Sequence, residues 1–98
     1  MAMLNSKELT DYIREVAGTL HGVAKGERGL TRSSREVNDV LKSTTRLKFI
    51  NGLTGLVEKN KEAAPVLVTL VERVMDLPVT NFPLFMSLLR FYYVAEQD

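Results

Sequence analysis

Leu9, Tyr12, Ile13, Val16, Ala17 and Leu20 recur at i, i+3, i+4, i+7, i+8 and i+11. This is a single apolar stripe at the helical period, and it commits the start of the chain to an amphipathic helix with one face buried. Lys7, Glu8, Asp11, Arg14 and Glu15 fall on the wet side. Asn5 or Ser6 can cap the helix, and Glu8 stands three residues after Asn5, the spacing of a capping box. The spacing predicts a helix near residues 5–21.

The same period, with its stop signals, organises the rest. Gly18, Gly22, Gly26 and Gly29 follow in close order. Glycine weakens a helix interior by about 0.5–1 kcal/mol relative to alanine, so a mobile Gly-rich loop is expected over residues 22–30. Ser33 and Glu36 have capping-box spacing ahead of a helix near 33–42, whose apolar seam is Val37, Val40 and Leu41. Thr44 or Thr45 can cap a helix near 44–59 carrying Leu47, Ile50, Leu53, Leu56 and Val57. Pro65 suits the first turn of a helix near 64–76, which Pro78 stops. Asn81 can cap a last helix near 82–95, with Pro83 in its first turn. The expectation is one domain over residues 1–98, an all-α compact bundle of four to five helices.

Composition removes whole classes of chemistry. The chain has 98 residues, no cysteine and a single histidine, His21. Disulfides, thiolate metal sites, cysteine nucleophiles and two-histidine metal sites are therefore excluded. Gly22-Val-Ala-Lys-Gly26 lacks the Gly-Lys-Ser/Thr ending of a phosphate-binding loop, and no strand precedes it. His21 has no serine or carboxylate placed beside it by a known motif and reads as an ordinary helix-end residue. No catalytic set, metal site or cofactor is expected, and no small-molecule substrate. The longest apolar run, residues 63–71, is too short to span a membrane and contains Thr69. The N-terminus lacks the basic leader and apolar stretch of a signal peptide. The expectation is a cytoplasmic, non-enzymatic protein.

Charge is the informative feature. The whole chain carries +1, but residues 21–48 sum to +4, against −1 before them and −2 after. At about 100° per residue, Arg28, Arg32, Arg35, Lys42 and Arg46 fall within about 80° of one another, opposite Val37, Val40 and Leu41. A helix through this region would turn a basic stripe outward. With Lys48, these residues form the candidate nucleic-acid contact, since such a line can neutralise phosphates without reading sequence. The blander reading is a solvated helix face. Asp39 dilutes the stripe, and no aromatic stacking platform is interleaved with it. This argues for contacts made inside a larger assembly. The last helix spreads Phe82, Phe85, Phe91, Tyr92 and Tyr93 over several faces. An 11 kDa bundle has limited interior for them, so Arg90 and Tyr93 are expected on a surface that meets another subunit.

STTRLKFI (residues 43–50), opening a central helix, and FMSLLRFYYVAE (residues 85–96), closing the chain, resemble stretches of the small subunits of CRISPR interference complexes. Several of those carry a similar Thr-Thr-x-Leu helix start and end in a tyrosine-rich helix. The likeness covers about a quarter of the chain. It implies a non-catalytic, all-helical subunit that contacts the DNA or RNA backbone and neighbouring subunits, with self-association among the possible contacts. The alternative function is a helical protein–protein interaction module with no nucleic-acid role, such as an adaptor or a viral or toxin–antitoxin partner.

Overall fold

The computed structural model describes residues 6–96, so the expected Asn5 cap lies outside it. The elements are α1 (Ser6–Lys25), α2 (Ser34–Leu41), α3 (Arg46–Lys59), α4 (Ala64–Asp76) and α5 (Phe82–Ala95), with 3₁₀ turns at Glu27–Gly29, Lys61–Ala63 and Val79–Asn81. Five helices and no strand among the described residues make an all-α bundle. Helix α1 packs between α5 and α2, and α3 between α2 and α4. In space the helices therefore run α5, α1, α2, α3, α4.

The periodic residues face the core as expected. Ile13, Ala17 and Leu20 of α1 are fully buried, and Val37, Phe49, Leu53, Leu67, Val74 and Leu89 complete the interior from the other four helices. Each such side chain contributes about 1.5–3 kcal/mol by leaving water. The aromatic centre is Phe49, which meets Phe82 and Phe85 edge-on at 6.0 Å. Pro65 and Pro83 sit in the first turns of α4 and α5.

The helix ends depart from the sequence reading in informative ways. Helix α1 runs through Gly22 to Lys25, so the loop starts at Gly26. Gly22 is tolerated because the turns on either side bury Leu20, Val23 and Ala24, and packing outweighs propensity. The loop is tied on both sides. Ser33 N–H donates to the Val23 carbonyl (3.2 Å). Thr31 N–H donates to Asn60 Oδ1 (2.7 Å), and Thr31 Oγ1 donates to the Lys59 carbonyl (3.3 Å). Asn60 is 2% exposed, and its amide also donates to the Leu56 carbonyl (3.2 Å). It thereby clamps the loop before α2 to the end of α3.

The Ser33–Glu36 capping box does not form. Ser33 donates to the Thr31 carbonyl instead (3.2 Å), while Glu36 pairs with Lys59. Thr45 does cap α3, accepting from Lys48 N–H at 3.2 Å. Asn81 precedes α5 but makes no side-chain cap.

Candidate nucleic-acid interface

No single helix carries the basic stripe. Helix α2 ends at Leu41, and the chain turns through Lys42 to the Thr45 cap before α3 begins. The six candidate residues are dispersed as a result. Lys42 and Lys48 line the groove between α2 and α3 together with Lys59, but Glu36, Asp39 and Glu58 line it too. Three carboxylates offset three ammonium groups, so that groove carries no net attraction for a polyanion. Arg28 lies in the turn after α1, on the wall of a separate cleft that also holds Glu27 and Glu62.

Arg46 corrects the stripe most directly. Its guanidinium turns away from α2 and donates to the carbonyls of Leu77 (2.6 Å) and Met75 (3.4 Å), closing the end of α4. It is a structural residue. Arg35 is exposed in the first turn of α2, and Arg32 stands just before that helix.

Arg32 belongs to the cleft with the clearest chemistry. The end of α1, the start of α2 and the end of α5 enclose about 340 Å³ lined by His21, Ala24, Lys25, Arg32, Ser34, Asn38 and Tyr93. Of the described residues, two cations (Lys25 and Arg32) and four other polar side chains (His21, Ser34, Asn38 and Tyr93) line it, and no carboxylate does. Among the described residues, neither Lys25, Arg32 nor Arg35 enters an ion pair. Cations without local partners in a concave surface raise the potential there and favour anions.

The floor of this cleft is aromatic. His21 stacks on Tyr93 with ring centroids 4.1 Å apart and planes 2° from parallel. His21 Nε2–H donates to the Tyr93 backbone carbonyl (2.8 Å). The bond fixes the imidazole plane over the phenol. Burial pushes the Tyr93 phenol above its ordinary pKa.

Residues 21 and 25 are one turn apart on α1, which is why His21 and Lys25 share a wall. Sequence reasoning missed this because the glycines read as a loop there. The stacking pair needs residues 21 and 93 side by side, and no local pattern carries that.

One of the two expected interface residues is also corrected. Tyr93 is 4% exposed, beneath His21. The Arg90 guanidinium donates to the Leu41 carbonyl (3.0 Å), tying α5 to the end of α2. Arg90 itself is exposed, and α5 also presents an apolar surface. Leu84, Phe91 and Val94 are 53%, 63% and 67% exposed, and Leu88 lies part-buried between them. Leu84, Leu88 and Phe91 follow i, i+4, i+7 along one stripe that carries no charge.

Among the described residues, no group of three His, Asp or Glu side chains could hold a metal ion. No helix there is long and apolar enough to cross a membrane. No family model matches the chain, and no curated protein or solved structure matches it.

Proposed function

We propose that this chain is a non-catalytic helical subunit of a multi-protein assembly that holds nucleic acid by its phosphate backbone. The carrying observation is the cleft with Lys25 and Arg32 on its walls and no carboxylate among its described lining residues, flanked by Arg35 one residue beyond Ser34. A few phosphate contacts give weak, sequence-independent binding, which suits a subunit working beside others. The resemblance to small subunits of CRISPR effector complexes supports the same reading and carries with it a cytoplasmic location and a part in antiviral defence.

The apolar stripe of Leu84, part-buried Leu88 and Phe91 favours a second reading, a protein–protein interaction module with no nucleic-acid role. An uncharged apolar face is the kind of surface that meets other proteins.

Salt titration separates the two. The intact protein is expected to bind DNA and RNA oligonucleotides with log affinity falling linearly in log salt, and Lys25→Ala/Arg32→Ala/Arg35→Ala is expected to flatten the slope by about 0.7–0.9 per lost contact. Equal, salt-insensitive behaviour of parent and triple variant overturns the nucleic-acid reading and leaves the interaction module.

A further inference from the structure

We propose that the cleft between α1, α2 and α5 takes one nucleotide unit of a single strand, its phosphate on Lys25 and Arg32 and its base on the imidazole of His21. The inference rests on the nucleic-acid reading above and narrows it from any phosphate backbone to an unpaired nucleotide.

Three features carry it. The first is the pairing of two charged side chains with a flat ring inside one concavity of about 340 Å³, near the low end of small-ligand sites. The second is the orientation of the ring. Tyr93 covers one face of the imidazole at 4.1 Å, and the bond to the Tyr93 carbonyl holds its plane. His21 is part-exposed and lines the cleft, and the base is assigned to the face away from Tyr93. A ring already stacked and hydrogen-bonded loses little freedom when a base lands on it.

The third is the polar edge. Ser34 and Asn38 stand one turn apart on α2 and line the same cleft. A hydroxyl and an amide together donate and accept, so they can meet the edge of any base without choosing one. A duplex does not fit this arrangement, because its bases are already stacked and paired. Single strands bind through such a combination of a cationic track and an aromatic platform.

His21 is the chain's single histidine, so its ring C–H resonances report on the cleft directly. The probes are single-stranded RNA and DNA hexamers, the same hexamers with abasic sugars, and a duplex. Intact hexamers are expected to move the His21 ring protons upfield and to bind roughly five- to a hundredfold more tightly than abasic ones. The RNA and DNA arms identify which strand is preferred. His21→Ala removes the difference between intact and abasic hexamers, and His21→Phe, which keeps a flat ring, restores most of it. Lys25→Ala/Arg32→Ala weakens both probes.

One result overturns the inference while sparing the broader reading: equal binding of intact and abasic hexamers with unmoved His21 resonances. Binding that the Lys25→Ala/Arg32→Ala variant leaves unchanged overturns both, because the broader reading rests on the same two cations. Absence of binding to every probe, duplex included, removes both readings. The resonance shift needs only the unsubstituted protein, so it decides the matter even if His21→Ala folds poorly.

Discussion

Arg46 reaches from the first turn of α3 to the carbonyl of Leu77, 2.6 Å away, where α4 has just ended. The residue belongs to the fold for this reason, although its spacing in the sequence matches a surface stripe. A charged donor on a helix-end carbonyl contributes roughly 1–2 kcal/mol where it is partly screened from water. Arg46→Ala is expected to lower stability by about that amount, whereas Arg35→Ala, exposed and unpaired, should stay within about 0.5 kcal/mol of the parent. Urea midpoints of the two variants check the contrast. Equal midpoints would remove the structural role of Arg46.

Gly52 packs tightly against Val40 of α2. A Cβ placed there would stand 2.6 Å from Val40 Cγ2. Val40 is 4% exposed and β-branched, so it has little room to rotate away. Overpacking of this kind costs about 1–3 kcal/mol, more than the roughly 0.5–1 kcal/mol that alanine brings to a helix interior. Gly52→Ala is expected to destabilise. Gly18→Ala, with nothing within 4 Å of the added carbon, is expected to stabilise. In the background of Val40→Ala the Gly52→Ala penalty should shrink or vanish. Additive effects in that double-mutant cycle would disprove the clash.

These contacts separate what the sequence made legible from what it did not. The helices over residues 64–76 and 82–95 were readable to the residue, because Pro65, Pro78 and Pro83 punctuate them locally. The core of α1 was readable from the spacing of Leu9 to Leu20. The basic stripe failed because it assumed that helical phase continues through residues 42–45. Once the chain turns there, Arg46 loses its angular relation to Arg32 and Arg35. Tyr93 failed for a related reason. Its partner, His21, lies far away in the chain, and composition alone cannot tell a buried tyrosine from an exposed one. Arg90 is exposed, but its bond to the distant Leu41 carbonyl leaves no local pattern either.

The loop that carries Arg32 into the cleft depends on Gly26. Its φ is +71°, in the left-handed region, and a Cβ there would stand 3.1 Å from the backbone of Arg32. Gly26→Ala therefore combines a conformational cost of about 1–2 kcal/mol with a push on Arg32. It is expected to lower the melting temperature and to weaken oligonucleotide binding together. Weakened stability with unchanged binding would show that the cleft does not depend on where the loop sets Arg32.

Glu36 and Lys59 pair across α2 and α3. The hydrogen bond from Lys59 holds the Glu36 carboxyl below its ordinary pKa. A carboxyl depressed in the folded state adds stability above its unfolded pKa of about 4.5 and gives it up as pH falls through the lower folded value. The pair is exposed, so the effect is small and salt-sensitive. Denaturation midpoints of the parent should fall slightly between about pH 5 and pH 3 at low salt, through this and other carboxyls. Glu36→Gln should fall less over the same interval. Parallel curves would mean that the pair contributes nothing.

Tyr12 is 7% exposed, and its hydroxyl is buried with no hydrogen-bond partner among the described residues. The ring itself is well placed, 6.2 Å from Phe85 and beneath the Arg73 guanidinium at 4.7 Å. An unpaired buried hydroxyl costs about 1–3 kcal/mol. Tyr12→Phe keeps the ring and its contacts, so it is expected to stabilise the protein by about 1 kcal/mol at neutral pH. Burial also pushes the Tyr12 phenol well above its ordinary pKa of 10.0, partly offset by Arg73. A group whose folded pKa is raised gives stability that is intact below the unfolded value and lost as pH climbs above it. The parent should therefore weaken progressively above about pH 10, when the unfolded chain releases a proton that the folded one retains. Tyr12→Phe should weaken less, keeping only the share due to Tyr93, which is raised by its own burial. Urea midpoints at neutral pH and near pH 11 measure both effects at once. A Tyr12→Phe variant less stable than the parent at neutral pH would mean that the hydroxyl is paired in solution, and the predicted gain would be withdrawn.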